Sequence, residues 1–293
     1  MPSWLEEAAS RVPFYQVLPD RGWPRFSHIA DDLVEAVARF GDPFAGRADL
    51  RQERSVLIQA TRDLPVYWAL SRGDLRAVAE SLATTWTALG VAPKERVLLC
   101  DYATSPLVAF ASRSFLPHLG RGAADILSCT PICNDGLPEL ADRCAHILDY
   151  APPGIMFIDS EAVDPLLDRV GSMAPTLRRI VVSGDERLLP RDRIATWRDG
   201  FGVDVVQLLR SDAALFFAPP CKVEADMFHP PSAFIVEEVS VETTAERAPA
   251  GRISITNTAV RSTVVTRYVT PLRGRVDLGR CRCGHDGASV VIM

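Results

Sequence analysis

An α/β protein that ends in a small antiparallel β subdomain is the fold class three features of the sequence predict. Between about residues 55 and 205, short apolar runs alternate with amphipathic stretches, the texture of parallel strands joined by helices. After about residue 215 the period changes to two, with Pro and Gly between the runs, as in antiparallel strands with one covered face. At 293 residues, 47% hydrophobic and 24% charged, the chain is long enough for one large or two moderate cores.

The elements follow in order. Residues 1–54 read as short helices, and "HIADDLVEAVARF" sets Ile29, Leu33, Val34, Val37 and Phe40 at helical spacing before "GDP" stops it. The α/β core occupies residues 55–217. "RSVLIQA" and "PVYWAL" predict strands, and "RGDLRAVAESLATTWTALG" predicts a helix that ends at Gly90 and buries Leu75, Val78, Leu82 and Leu89 on one face, with Ala79 beside them. "ERVLLCD" predicts a buried strand, "PLVAFASRSFLPHLG" a helix, "AADILSC" a strand and "LPELADRCAHILDY" a helix. "GIMFID", "AVDPLLDRVG" and "LRRIVVSGD" continue as strand, helix and strand. Residues 218–293 form the β subdomain, with strands in "SAFIVEEVSVET", "GRISITNTAV" and "STVVTRYVTPL".

A net charge of -5 and a pI near 5.6 leave no basic surplus to neutralise phosphates, so nucleic acid is not an expected partner. No apolar run is long enough to span a bilayer, and "MPSWLEEAASRVPFY" is acidic where a signal peptide is basic and then apolar. No membrane association is expected and the expected location is cytoplasmic. Seven cysteines, an odd number in a long chain, argue for thiols or metal ligands rather than a disulfide framework.

Four residues form a metal constellation. "PPCKVEADMFHPPSAF" supplies Cys221 and, eight residues on, His229, while "LGRCRCGHDG" supplies Cys281 and Cys283. Three thiolates and one imidazole make a closed tetrahedral set for structural Zn, with His285 a rival fourth ligand at tighter spacing. Unconnected buried cysteines and a surface histidine are the plainer alternative. Cys129, Cys133, Cys144 and His146 suggest a second site, against which core or loop thiols are the better reading.

The order of motifs resembles the large N-terminal domain of the adenylate-forming (acyl-CoA synthetase) superfamily, in its phenylacetate-CoA ligase branch. "RVPFY", "LRRIVVSGDERL", "AGRISITNTAVRSTVVTRYVTPL" and "CRCGH" are similar to that branch's motifs and occur in its order. The resemblance implies that fold, with the β subdomain pinned by zinc as in some members of the branch. It also implies losses. The family's Gly-rich phosphate loop falls on "IQATRDLPV", which has no glycine and sets Asp63 beside Thr61 and Arg62. The family's "YG.TE" falls on "LRSDA", so its Tyr, Gly and Glu positions carry Leu209, Arg210 and Ala213. In "RYVTPL", Arg267 and Tyr268 remain and Leu272 stands where the family's Asp holds the ribose. The family continues into a mobile C-terminal domain with a catalytic lysine, so a shortened member is expected here, with ATP and Mg not expected as cofactors.

The expected ligand pocket comprises Gly184, Asp185, Arg210, Ser211, Asp212 and Arg267, in which "SGDE" follows a strand and Arg210 to Asp212 replace the adenine-side motif. Three functions stand in order. The first is a degenerate ligase-like protein that does not adenylate carboxylic acids alone and binds an acyl or aryl group or its thioester, or a protein partner or second copy, in a biosynthetic pathway. The second is an active ATP-dependent acyl- or aryl-CoA ligase or adenylating enzyme completed by a partner in trans. The third is a Cys-dependent acyl transferase using Cys133 or Cys144 beside His146.

Overall fold

The computed structural model describes the chain except for residues 50, 52–55, 60–63, 65, 171–175 and 241–250. Thr61, Arg62 and Asp63 of the expected phosphate loop lie outside the described residues. The chain divides into two compact units, one of Met1–Val78 with Ser211–Met293 and the other of Ala79–Arg210.

The first unit opens with helices α1 (Ser3–Arg11), α2 (Pro13–Gln16) and α3 (Ala30–Phe40). The "RVPFY" motif has a packing role: Phe14 and Tyr15 are buried and meet the His28 ring edge-on at 4.9 and 5.5 Å. The Tyr15 hydroxyl donates to the Val264 carbonyl and accepts the Thr266 amide, both at 3.0 Å, which ties the start of the chain to its last third. In α3, Leu33 and Ala36 are buried and Val34 is exposed, so the helix turns a narrower face inward than the spacing of Val34 and Val37 predicts. The Asp32 carboxylate explains this rotation, because it is buried while it accepts the Ile29 amide and both terminal nitrogens of Arg21.

Strands β1 (Val56–Gln59) and β2 (Tyr67–Leu70) pair antiparallel. Helix α4 (Arg72–Ala88) follows and carries the chain into the second unit. "SRGD" starts it with a reciprocal cap: Asp74 accepts the Ser71 amide at 2.9 Å and the Ser71 hydroxyl accepts the Asp74 amide at 3.1 Å. Asp74 also accepts the Arg261 and Ser262 amides, so this buried carboxylate is a structural anchor. Leu75, Val78, Ala79, Leu82 and Leu89 are all buried, as their spacing predicts.

The second unit contains β3 (Arg96–Cys100), α5 (Pro106–Ala109), α6 (Ala123–Leu127), β4 (Thr130–Asn134), α7 (Ala141–Tyr150), β5 (Ile155–Asp159), α8 (Val163–Leu167), β6 (Arg179–Asp185), α9 (Arg191–Phe201) and β7 (Asp204–Ser211). Strands β3 to β7 form a parallel layer in the order β4-β3-β5-β6-β7. Leu98, Met156, Ile158, Ile180, Val182 and Val205 pack with Leu148, Leu166, Trp197 and Phe201 of α7 to α9. Phe157, of opposite parity on β5, stacks on Trp86 of α4 with centroids 5.1 Å apart. Both faces of the sheet are therefore covered, which is why its strands read as continuous apolar runs.

Three expectations for this unit are corrected. "AADILSC" is the short helix α6, capped by Asp125 through the Gly122 amide, and the strand begins one residue past it at Thr130. "PLVAFASRSFLPHLG" is broken into α5 and a single 3-10 turn, because Ser112, Arg113 and Pro117 interrupt the apolar run. Helix α9 and strand β7 are additional elements, although Ile194, Trp197 and Phe201 carry the helical period.

The remainder of the first unit holds β8 (Phe216–Ala218), β9 (Met227–Phe228), β10 (Phe234–Val239), β11 (Gly251–Asn257), β12 (Tyr268–Arg280) and β13 (Asp286–Ile292). Five of these form an antiparallel sheet in the order β10-β11-β12-β13-β9. The expected strand in "STVVTRYVTPL" starts only at Tyr268, since Val264 and Thr266 are engaged by Arg47 and Tyr15 instead of a ladder. No helix among the described residues is long and apolar enough to cross a membrane.

Candidate functional site

The β12–β13 hairpin pairs Arg280 with Asp286 at its last rung, leaving Cys281 to His285 as the turn. The turn closes through the Cys281 amide on the His285 carbonyl at 2.8 Å and the Gly284 amide on the Cys281 carbonyl at 3.0 Å. Gly284 has φ +92°, a conformation a side chain disfavours, which fixes the glycine after the second cysteine. On the neighbouring edge, β9 pairs with β13 through Phe228 and Val290. The Cys221 amide donates to the Met227 carbonyl at 2.7 Å and the His229 amide to the Pro219 carbonyl at 2.9 Å, so this loop presents Cys221 and His229 from one base.

The ligand atoms of Cys221, His229, Cys281 and Cys283 all lie within 4.8 Å of one another, and this group could hold a metal ion. The Cys221 and Cys281 sulfurs are 3.6 Å apart, and the Cys283 sulfur is 3.1 Å from His229 Nε2. His229 Nδ1 faces the Ser289 hydroxyl at 3.0 Å, which leaves Nε2 as the nitrogen turned to the sulfurs. Burial, reinforced by His285, pushes the His229 pKa down to about 4, so its ring is neutral and has a lone pair to donate at neutral pH. The amides of Val223 and Glu224 point at the Cys221 sulfur from 3.4 and 3.3 Å. His285, the rival ligand, stacks on His229 with ring centroids 4.2 Å apart and stands outside the four. Among the described residues no second group of three or more such ligands gathers, so Cys129, Cys133, Cys144 and His146 do not form the second site.

The residues of the expected ligand pocket fall in both units, Gly184, Asp185 and Arg210 in the second and Ser211, Asp212 and Arg267 in the first. At the carboxyl edge of the parallel sheet, Arg210 is buried and its Nη1 donates to the Asp101 carboxylate, also buried, and to the Ser183 hydroxyl at 3.3 Å. Its guanidinium lies 5.9 Å from the Tyr102 ring centroid. Gly184 follows Ser183, and a Cβ there would stand 3.0 Å from the Ser160 hydroxyl, so the strand end is closely packed. Asp185 ends β6 in register with Arg210. In the other unit, Ser211 and Asp212 are buried, and Arg267 is committed to Glu237 at 2.9 Å and to the Arg25 carbonyl at 2.9 Å. Sequence reasoning singled out Ser183 within "SGDE" but missed Asp101 and Ser160. Their signal was position, since each lies at or just past the carboxyl end of a parallel strand.

Burial first, then the Asp135 and Asp101 charges, push the Cys133 thiol up to about 11. Cys144 is buried against Cys100.

No family model matches the sequence, and no curated protein matches it. Solved structures do. An open conformation of 2-hydroxyisobutyryl-CoA ligase in complex with 2-HIB-AMP and CoA is similar with a TM-score of 0.74 at 14% identity, covering 98% of this chain and 66% of the ligase. An o-succinylbenzoate CoA synthetase double mutant from Bacillus subtilis, bound with its product analogue, gives a TM-score of 0.54 at 13% identity over 82% of this chain and 49% of that one. An anthranilate CoA ligase in complex with anthranoyl-AMP gives 0.54 at 13% identity over 82% and 47%. The likeness shows the fold, the mixed α/β architecture of the N-terminal domain of acyl-CoA ligases in the adenylate-forming superfamily. The chain spans about two thirds of the length of the 2-hydroxyisobutyryl-CoA ligase it matches.

Proposed function

We propose that this chain is a ligase-fold protein of the phenylacetate-CoA ligase type that does not adenylate carboxylic acids by itself. It uses the fold to bind an acyl or aryl group, or its thioester, within a biosynthetic pathway. The observation that carries this reading is the buried Arg210–Asp101 pair. By the resemblance, Leu209 stands where ligases place the aromatic ring that packs on adenine and Arg210 replaces the glycine beside it, and the Arg210 guanidinium is spent on Asp101 and Ser183. The charge of Arg210 is therefore already matched by Asp101 and is not offered to a nucleotide phosphate. Leu272, where the resemblance puts the ribose-holding carboxylate, is buried and apolar, and a lost charge-assisted acceptor costs about 1.5 to 3 kcal/mol.

The four-ligand cluster is read as a structural zinc site. A tetrahedral ion with zinc–sulfur bonds of about 2.3 Å separates its sulfurs by about 3.8 Å, close to the 3.6 Å between Cys221 and Cys281. Three thiolates and one neutral imidazole complete the shell with no position for water, so zinc here supplies rigidity.

A second reading is favoured by what the neighbours hold, namely 2-HIB-AMP and CoA in one and anthranoyl-AMP in another. On that reading the chain adenylates once a partner chain completes it. Pyrophosphate exchange with a panel of aryl and fatty acids, run beside calorimetry against ATP, CoA and aryl-CoA, separates the two. The first reading expects no exchange and measurable heat only with the thioester or acid. Exchange by the isolated chain overturns it, and exchange only with an added partner establishes the second. The Cys-dependent transferase reading loses support from Cys133, whose raised pKa opposes the thiolate a nucleophile needs.

A further inference from the structure

The second unit contains a buried thiol pair that neither the binding reading nor the adenylating reading uses. Cys100 is the last residue of β3, flanked in register by Asn134 of β4 and Ile158 of β5. Cys144 lies on the buried face of α7, one turn before Leu148. Both side chains are buried and their sulfurs are 3.2 Å apart. A disulfide bond is about 2.05 Å long, so a shift of about 1 Å joins them. Outside the metal cluster this is the only sulfur–sulfur contact among the described residues.

We propose that Cys100 and Cys144 are a disulfide-forming pair, oxidised by a small peroxide and reopened by a dithiol. One sulfur, as thiolate, attacks an oxygen of hydrogen peroxide; the O–O bond breaks, and hydroxide leaves and takes a proton to become water. The sulfenic acid so formed is attacked by the second sulfur, which forms the S–S bond and expels a second water. Two thiols and one peroxide thus give one disulfide and two waters, the sulfurs oxidised and the peroxide reduced. A dithiol returns two electrons by exchange.

The position gives the bond a consequence. It joins residues 44 apart in sequence and fastens α7 to the end of β3. The next residue is Asp101, which holds Arg210. Oxidation therefore stiffens the sheet edge on which the buried ion pair is built. The hydrogen bond between the two thiols, then burial, raises the Cys100 pKa well above its ordinary value, so Cys100 rests as the thiol and its attack on peroxide is slow and speeds up with pH.

The test is peptide mapping of the full chain, purified in zinc-containing buffer and exposed to graded hydrogen peroxide. After peroxide removal and alkylation of remaining thiols, the digest is read without reduction. The expected product is a Cys100–Cys144 crosslinked peptide lacking two hydrogens, removed by dithiothreitol and absent from Cys144→Ser. It should be retained in Cys133→Ser, and wild-type Tm should rise on oxidation while that of Cys144→Ser does not. Recovery of Cys100 and Cys144 as free thiols under peroxide that oxidises Cys133 overturns the proposal. So does a crosslink from Cys100 to Cys133. The wild-type map decides the matter even if the Cys144 variant does not fold.

Discussion

The hairpin that carries Cys281 and Cys283 and the parallel sheet that carries Arg210 are ordered by opposite means. The sheet strands are apolar on both faces, and residues such as Phe157, Val181 and Leu208 have no exposed surface. The end of the hairpin is nearly bare: Leu278 is 83% exposed, and Gly279, Arg280 and Arg282 are exposed with it. Burial at about 25 cal/mol per Å² of apolar area accounts for the sheet and has little area to act on at the hairpin. What gathers there is a set of donors that repel one another as thiolates unless a cation joins them. Cohesion in the first region is spread over many contacts, and on the proposed zinc reading it is concentrated in one site in the second.

The comparison can be broken most directly at the metal. Chelation, or the Cys281→Ala/Cys283→Ala double variant, should free the tip of β12–β13 and the Cys221–His229 loop while the parallel sheet stays intact. Structural zinc contributes about 10 to 16 kcal/mol of apparent binding energy in small metal-folded domains, so this is the largest effect expected. Elemental analysis should find one zinc per chain, and hydrogen exchange should show protection lost around Val290 and retained at Phe157. Exchange unchanged by chelation would remove the contrast.

Next in size is the buried ion pair. Arg210→Ala leaves Asp101 charged and unpaired in the interior, which should cost about 3 to 5 kcal/mol in urea unfolding. Arg210→Met with Asp101→Leu should recover most of that loss. Both variants should retain zinc, and zinc lost from either would mean that the two regions are coupled.

Ser289→Ala tests the hydrogen bond that orients His229. Metal affinity, measured by chelator competition, should fall about ten- to a hundredfold, with Ser289→Thr restoring part of it.

The smallest effect concerns His28, which shows that the first unit also contains a region ordered by burial. Burial and then the Arg47 charge lower its pKa to about 3. A histidine neutral in the folded state and free to protonate near pH 6.5 when unfolded contributes no penalty above that pH. Stability then falls as pH drops from 6.5 towards 3, because the unfolded chain takes up the proton first. At one pH unit below 6.5 the loss is about 1.4 kcal/mol. His28→Phe should flatten the wild-type slope between pH 6.5 and 5, as read by urea unfolding.

Much of the fold was legible because periodicity is local. The buried face of α4 followed from Leu75, Val78, Leu82 and Leu89, all of which are buried. The strand in "AADILSC" was misread because Ala123–Leu127, four apolar residues around Asp125, is too short a segment for periodicity to separate a strand from a helix. The Gly122–Asp125 cap that decides it is a hydrogen bond and leaves no trace in hydrophobic period. Among the candidate site residues, the Cys and His positions were readable from spacing and residue type. Arg267, expected in a ligand pocket, also makes an ion pair with Glu237 that spacing does not reveal.

The sequence by itself determined the strand and helix periods, the charge balance and the presence of three thiols and an imidazole with ligand chemistry. Each of these is a property of neighbouring residues or of composition. Only the tertiary structure decided that Cys221 and His229 meet Cys281 and Cys283, that His285 stacks beside them, that Arg210 faces Asp101, and that Cys100 touches Cys144. It also decided that the first residues fold with the last, through Tyr15 and Val264. These pairings join residues tens to hundreds of positions apart, and their geometry is set by how strands register and helices pack, which no local pattern encodes.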